Sequence, residues 1–515
     1  ALVVTGLGSR SPGLPVLAAV AVAAGLAQAF SLASPWSGNP LWWLQLVALA
    51  VLVATVDRSP SWKSAAMLGW FFATAWLAGT FWWLFTSMYT YGGLPAPLAG
   101  LAVLALAAFL ALFYGVVCGL FKALAPVHWA GRALVFAALW LLAELARGTW
   151  LAGFPWGAVG SAHVDGPLAA LAPVVGAYGI GFVAAGLAAL LATGPGAGWR
   201  AHSTAALVLL ALAVAPAVPW STGTGRLDVA LLQGNIPQDE KFQPGSGVPV
   251  ALRWYGEQLV GSRASLVIAP ETAIPLLPQQ LPAGYAETLQ KRFADGQQAA
   301  LVGIPMGNLR AGYTNSVQGW VPGAVQPYQY DKHHLVPFGE FIPPLFRWFT
   351  DLMNIPLGDF NRGAIGQPSL VWQGQRIAPN ICYEDLFGEE LGARFADSAS
   401  APTIFANFSN IGWFGNSVAI DQHLHISRMR ALEFSRPMVR ATNTGATAII
   451  DHEGRVTHSL ARYTRGVLQG EVEGRQGTTA YAWWVARLGL WPLWLLGLGV
   501  VGAAWVYVRR RQDTM

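Results

Sequence analysis

Three short segments that read as strand ends each deliver one reactive side chain. Ser265-Leu-Val-Ile-Ala-Pro-Glu271 ends on a carboxylate, Tyr330-Asp-Lys332-His-His sets a lysine among aromatic and apolar neighbours, and Pro379-Asn-Ile-Cys382-Tyr-Glu384-Asp385 places a cysteine before an acidic turn. An ordinary thiol, with a pKa of about 8.5, is only a few per cent thiolate at neutral pH. A carboxylate can take its proton during attack, and an ammonium can lower the thiol pKa and stabilise the oxyanion that forms. Taken singly, each residue has a plain structural reading. A cysteine in a strand packs as a small hydrophobe, a glutamate after a strand caps a helix, and a lysine among aromatics snorkels.

These residues must be positioned by an alternation of strand and helix. Short apolar runs bounded by turn residues predict strands at Asp228–Gln233, Ser265–Ala269, Ala299–Ile304, Tyr313–Gln318, Ile377–Cys382 and Thr403–Phe408. Helical stretches fall at Pro249–Ser262, Tyr285–Asp295 and Gln422–Ser435. The pattern indicates an α/β domain with strands buried on at least one side, whose loops after strand ends line a crevice.

The rest of the chain is another material. Of 515 residues 54% are apolar and 11% charged, against roughly 25% charged in an average soluble domain. Residues 226–483 hold 20 Lys/Arg against 22 Asp/Glu, net −2, whereas 1–225 and 484–515 together hold 11 against 4, net +7. The overall surplus of 5 positive charges therefore lies outside the polar region, which removes the main support for nucleic-acid binding. A span needs about 20 apolar residues, and eight candidates stand at 14–32, 41–56, 64–87, 97–124, 131–148, 167–192, 203–219 and 484–508. The second is short enough to be tilted, interfacial or re-entrant. The first reads as a retained anchor, since several more runs follow it.

Lys and Arg set the orientation. With both termini cytoplasmic, Arg10, Arg58, Lys63, Lys122, Arg132, Arg200 and Arg509 to Arg511 lie inside and only Arg147 outside, which places 226–483 on the extracytoplasmic face. Trp82, Trp83, Trp150, Trp156, Trp483 and Trp484 suit an aromatic belt or a packed core. Glu144 and Arg147, three residues apart on one helical face, can form an ion pair. Cys118 falls within the fourth span as a packing residue, and a disulfide to Cys382 is not expected. A free cysteine kept outside the cytoplasm is a hazard, which favours Cys382 being retained for its reactivity.

The order of Glu, Lys and Cys at strand ends resembles the nitrilase (carbon–nitrogen hydrolase) superfamily, and further motifs narrow the resemblance to its apolipoprotein N-acyltransferase family. Those motifs are Gln233-Gly-Asn-Ile-Pro-Gln238, Ala269-Pro-Glu-Thr-Ala-Ile-Pro275, Pro337-Phe-Gly-Glu340, Ile381-Cys-Tyr-Glu-Asp385, Ser409-Asn410 with Trp413-Phe-Gly415, and Arg428-Met-Arg-Ala-Leu-Glu433 before Arg436-Pro437. Upstream, Gly153-Phe-Pro-Trp156 and Asp165-Gly-Pro167 look like the family's membrane part. The resemblance implies an αββα sandwich at 226–483 between a membrane domain at 1–225 and a last helix with a basic tail at 484–515. It makes Cys382 the nucleophile, Glu271 the general base and Lys332 the electrostatic stabiliser. Glu340, Tyr383 and Glu384 would position groups or move protons, while Asn410 and Trp413 fit a substrate role or packing. Two positions depart from the family pattern: Ile411 stands where Asp is common, and Phe242 where Trp is frequent.

The implied reaction moves an acyl chain from a membrane phospholipid, through a thioester on the enzyme, to the α-amino group of the diacylglyceryl-modified cysteine of an apolipoprotein. Its expected place is the bacterial inner membrane, with the catalytic domain periplasmic and membrane lipids around the spans. Phe338–Met353 and Asn410–Phe414 can act as loops that dip toward the interface or as ordinary packing. No cofactor is expected: no dinucleotide fingerprint, P-loop or HExxH occurs, and adjacent His333 and His334, like His423 and His425, make no metal set. Two other readings compete. A membrane-tethered amidase would pass the acyl group to water, and a polytopic transporter or receptor would need charged residues along several spans.

Overall fold

The computed structural model describes residues 13–194, 198–308, 310–342 and 360–513. Helices α1 (Leu14–Leu32), α2 (Trp42–Asp57), α3 (Trp62–Thr80), α4 (Ala96–Leu124), α5 (Trp129–Thr149), α6 (Ala172–Leu191) and α7 (Gly198–Ala213) precede the first strand. Among the described residues five helical segments are long and apolar enough to cross a membrane: Leu14–Leu32, Ala96–Leu124, Trp129–Thr149, Pro167–Leu191 and Trp491–Gln512. A sixth is α3 taken with Leu84–Tyr91, bent by 61° at the break between them. Helices α2 and α7 have 16 residues each, a rise of about 24 Å against a hydrocarbon core of about 30 Å. Two expected boundaries shift. The seventh segment is helical from Gly198 and stops at Ala213, and the last begins at Trp491 after a break at Gly489.

Between them lie two six-stranded sheets. The first contains β1 (Thr222–Gln233), β2 (Leu266–Ala269), β3 (Ala299–Asn308), β4 (Gly312–Trp320) and β5 (Tyr328–Asp331), in the order β12-β1-β2-β3-β4-β5, where β12 is Gly466–Gln476. The second contains β6 (Leu370–Trp372), β7 (Gln375–Ile381), β8 (Ile404–Ser409), β9 (Met438–Thr442), β10 (Ala448–Ile450) and β11 (Val456–Ser459), in the order β11-β10-β9-β8-β7-β6. The pairs β1/β2, β2/β3, β7/β8 and β8/β9 are parallel. Strand alternation sorts the side chains into layers. Val229, Leu231 and Ile268 meet Ile381, Ala406 and Phe408 between the sheets. Ala230, Leu232 and Val267 face α8 (Gly247–Gly261) and α9 (Tyr285–Ala294). On the far side Ala378, Phe405 and Met438 pack on α10 (Ala419–Phe434) and α11 (Ala480–Leu488). This is an αββα sandwich, and strands buried on both faces explain the continuous apolar runs.

The helical part and the sandwich share one core. Tyr383, Leu386, Phe387, Ile411, Ile420 and Met429 belong to the same buried cluster as Phe72, Trp76 and Trp140 of α3 and α5. Gln422 of α10 is the polar pin of this joint: its Oε1 accepts the indole N–H of Trp156 at 2.8 Å and of Trp83 at 3.1 Å, and its Nε2 donates to Thr80 O at 3.0 Å. The expected Glu144–Arg147 ion pair does not form. Glu144 accepts the amide of Val159 at 2.8 Å, while Arg147 donates to Phe154 O and Trp156 O, both at 2.7 Å, and to Tyr114 OH. Buried backbone groups of the following loop take these side chains as their partners, so both brace the loop 150–159.

Replacing Gln422 with Leu strands two buried indole donors at a cost of about 1–3 kcal/mol each. Thermal unfolding of the detergent-solubilised Gln422→Leu variant is expected at a clearly lower midpoint; an unchanged midpoint would remove Gln422 as the pin.

Candidate active site

Four of the candidate residues stand at strand ends: Glu271 two residues after β2, Lys332 directly after β5, Cys382 directly after β7 and Asn410 directly after β8. Glu271 is held at three points. Its Oε1 accepts the Asn315 side-chain amide at 2.7 Å and lies 3.5 Å from Lys332 Nζ, and its Oε2 accepts the backbone N–H of Asn410 at 2.9 Å. Glycine is required at 303 beside it, because a Cβ there would sit 2.2 Å from Pro270 O and 2.7 Å from Glu271 Cα.

Lys332 is 1% exposed and pairs with Glu340 at 2.8 Å. Burial opposes its charge, but Glu340 and Glu271 outweigh burial and hold the ammonium above its ordinary range. Asn315 donates to Glu340 Oε1 at 2.7 Å as well as to Glu271, so one amide spans both carboxylates. The amide of Val336 fixes the second Glu340 oxygen at 2.8 Å.

Cys382 has φ +52, a left-handed conformation that a non-glycine residue keeps only when its surroundings impose it. Glu384 imposes part of it by accepting the amide of Ile381 at 2.6 Å, of His333 at 2.7 Å, and the Tyr330 hydroxyl at 2.8 Å. Those bonds occupy both oxygens of a buried carboxylate, so Glu384 ties the Cys382 turn to the Lys332 turn. On the other side His423 Nε2 lies 3.1 Å from Cys382 O. Arg440 donates to His423 Nδ1 at 3.1 Å, so the ring proton sits on Nε2 and donates to that carbonyl. Burial and Arg440 hold His423 well below its ordinary pKa, hence uncharged. Tyr383 donates its hydroxyl to Gly153 O at 3.0 Å and stacks on Phe154, which joins the cysteine turn to the braced membrane loop.

Burial pushes the Cys382 thiol up to about 12, Glu271 adds to the rise, and Lys332 works against both. The resting sulfur is therefore a thiol, and the arrangement suits proton removal by a neighbouring base at the moment of attack. Asn410 carries Glu271 on its amide and links Gln238 (2.8 Å) to Asn443 (3.2 Å) through its side chain. Trp413 meets the ring of Tyr91 edge-on at 5.7 Å, and the neighbouring Phe414 packs on Trp83 at 4.2 Å. His333 and His334 diverge, to Gly363 O at 2.7 Å and Glu390 at 2.8 Å. The Phe338–Met353 stretch lies outside the described residues from 343 onward.

Asn315, His423 and Lys241 also belong to this cluster, and the sequence reading assigned a role to none of them. Lys241 is 2% exposed and donates to Glu271 O at 3.0 Å. A signal was available for it: a lysine close after the Gln233–Gln238 motif, in a domain with three lysines in all.

Two sheets between helical layers, with carboxylate, ammonium and thiol at strand ends, define a carbon–nitrogen hydrolase domain, and residues 228–481 match the carbon-nitrogen hydrolase family. Residues 24–190 match the apolipoprotein N-acyltransferase N-terminal domain. The apolipoprotein N-acyltransferase of Verminephrobacter eiseniae is 62% identical over 91% of this chain and 92% of its own. Those of Ralstonia nicotianae and Bordetella bronchiseptica are 45% and 42% identical, over 92% and 94% of this chain and 90% and 96% of theirs. The chain belongs to the apolipoprotein N-acyltransferase family and is an acyltransferase of the membrane.

A half-buried, protonated thiol makes a direct prediction. Alkylation of Cys382 by iodoacetamide in the free protein is expected to be slow at pH 7 and to keep rising beyond pH 9. A rate that levels off below pH 8, the mark of a preformed thiolate, would contradict the resting state described above.

Proposed function

We propose that Cys382 attacks the ester carbonyl of a membrane phospholipid, Glu271 taking the thiol proton and Lys332 facing the oxyanion. Collapse of that intermediate breaks the ester bond, and the leaving lysophospholipid oxygen recovers the proton from Glu271. The α-amine of a diacylglyceryl apolipoprotein then attacks the thioester, Glu271 takes an amine proton, and the thiol is regenerated with a new amide. The two half-reactions share one covalent intermediate and give ping-pong kinetics.

The observation that carries the reading is the convergence of Glu271, Lys332 and Glu340 beside a cysteine whose own turn packs into the membrane-helix core. A nucleophile anchored there can meet an ester whose chains stay in the bilayer. In this reading 1–225 is the membrane domain, 226–483 the periplasmic catalytic domain and 484–515 the last helix with a cytoplasmic tail. Arg509 to Arg511 and the other inside charges favour that orientation at the inner membrane. Glu340 orients Lys332, Glu384 and Tyr383 fix the cysteine turn, and Asn410 holds the base.

Intact-mass spectrometry after incubation with phospholipid is expected to show one acyl adduct, lost in Cys382→Ala and retained in Cys118→Ala. Glu271→Gln and Lys332→Ala should lose nearly all thioester formation. Transfer of the chain to water but never to a diacylglyceryl peptide would instead favour the amidase reading.

A further inference from the structure

The Gln233–Gln238 segment is fastened onto the strand ends: the amide of Ile236 donates to Asn443 Oδ1 at 3.0 Å, and Asn443 Nδ2 returns a bond to Ile236 O at 2.9 Å. The chain then turns, with the Lys241 amide donating to Pro237 O at 2.9 Å, and sends the Lys241 side chain inward to Glu271 O. Among the described residues this amine forms no ion pair, whereas Lys332 has both Glu340 and Glu271. A buried amine with one carbonyl acceptor and the Phe242 ring 5.9 Å away is costly to keep. Its position on the main chain of the base gives it a use.

We propose that Lys241 is a positioning residue of this site, fixing the Glu271 turn through its carbonyl and supplying a second positive charge that faces Glu271 and Cys382. The proposal rests on Cys382 being the acyl-accepting nucleophile. Two carboxylates, Glu271 and Glu340, share Lys332; a protonated Lys241 brings the site to neutrality. When the thiol proton passes to Glu271 and sulfur bonds to carbon, the carbonyl electron pair moves to oxygen. One negative charge has then moved from Glu271 to the oxyanion, and the same two ammonium groups balance it. Burial lowers Lys241 to about 7, against the opposing pull of Glu271 and Cys382, so the second charge is present below neutrality and lost above it. Those two are the titratable groups that face it, with Lys332 and Glu340 beyond the Glu271 carboxylate.

The test uses the full chain in detergent and an activated ester, p-nitrophenyl butyrate, so that acylation is read without lipid. Lys241→Gln keeps a donor and loses the charge, and Lys241→Met loses both. At pH 6 the acylation burst is expected to slow about tenfold or more in Lys241→Gln, with its amplitude unchanged. The wild-type advantage should shrink by pH 8.5, where Lys241 has shed its proton. A Gln variant at the wild-type rate, or a rate ratio flat across this range, would overturn the proposal; if Lys241→Met fails to fold, the Gln variant decides alone. No burst in the wild type would remove Cys382 as the nucleophile and this proposal with it. A burst from the ester with no acyl adduct from phospholipid would sink the lipid-donor reading, and the pH-dependent ratio would still decide the role of Lys241.

Discussion

The structure turns on one buried ionic cluster, Lys332 held between Glu340 and Glu271. Ions taken out of water are expensive, and their attraction repays the cost only where geometry and hydrogen bonds are complete. Here the completion comes from neutral donors: the Asn315 amide on both carboxylates, the backbone of Asn410 on Glu271 and that of Val336 on Glu340. Each donor belongs to a different strand or strand-end loop. The cluster therefore forms only when β2, β4, β5 and β8 stand in register, and the αββα sandwich supplies that register through cores on both faces of each sheet.

The thiol is placed by a second set of contacts that reaches into the membrane helices. Glu384 holds the amide before Cys382, His423 holds its carbonyl, and Tyr383, the residue after it, donates its hydroxyl to Gly153 O. Trp156 stacks on the His423 ring at 5.6 Å and donates to Gln422, the residue before it. Arg147 and Glu144 brace the loop from which Phe154 and Trp156 project. A strained turn needs support on all sides, and part of this support belongs to the helical domain. The helical part and the sandwich thus meet at Cys382.

Glu271 and Cys382 were legible in the sequence because each follows a run whose composition announces a buried strand, whereas Lys332 follows the short polar β5 and stood out as one of three lysines in the domain, set among aromatic and apolar neighbours. The helix–strand order was legible for the same reason. Strands β5, β6 and β9 to β12 were not: β5, β6 and β10 have only 4, 3 and 3 residues, β9 carries Arg440 within its run, β11 is exposed throughout, and β12 carries Glu471, Glu473 and Arg475 on a strand at the sheet edge. Asn315 sits in the middle of β4, where only pairing partners reveal that its amide meets two carboxylates. His423 reads as one polar residue on a helix until the fold sets it under the cysteine carbonyl. The Glu144–Arg147 spacing suggested a pair, but spacing along one helix carries no information about unmet backbone groups on the loop that follows.

The departure at Ile411 becomes intelligible on the same terms. Ile411 is 1% exposed and lies in the apolar cluster shared with the membrane helices, one residue past Asn410, whose amide holds Glu271. An aspartate on this apolar seat would need a cation or several donors to offset its desolvation. Isoleucine meets the surroundings without one. At position 411 the loop that carries the Glu271 amide contact is thereby held by apolar packing against the helices, beside the polar bonds of Asn410 to Gln238 and Asn443, which again makes the geometry of Glu271 depend on the helical part.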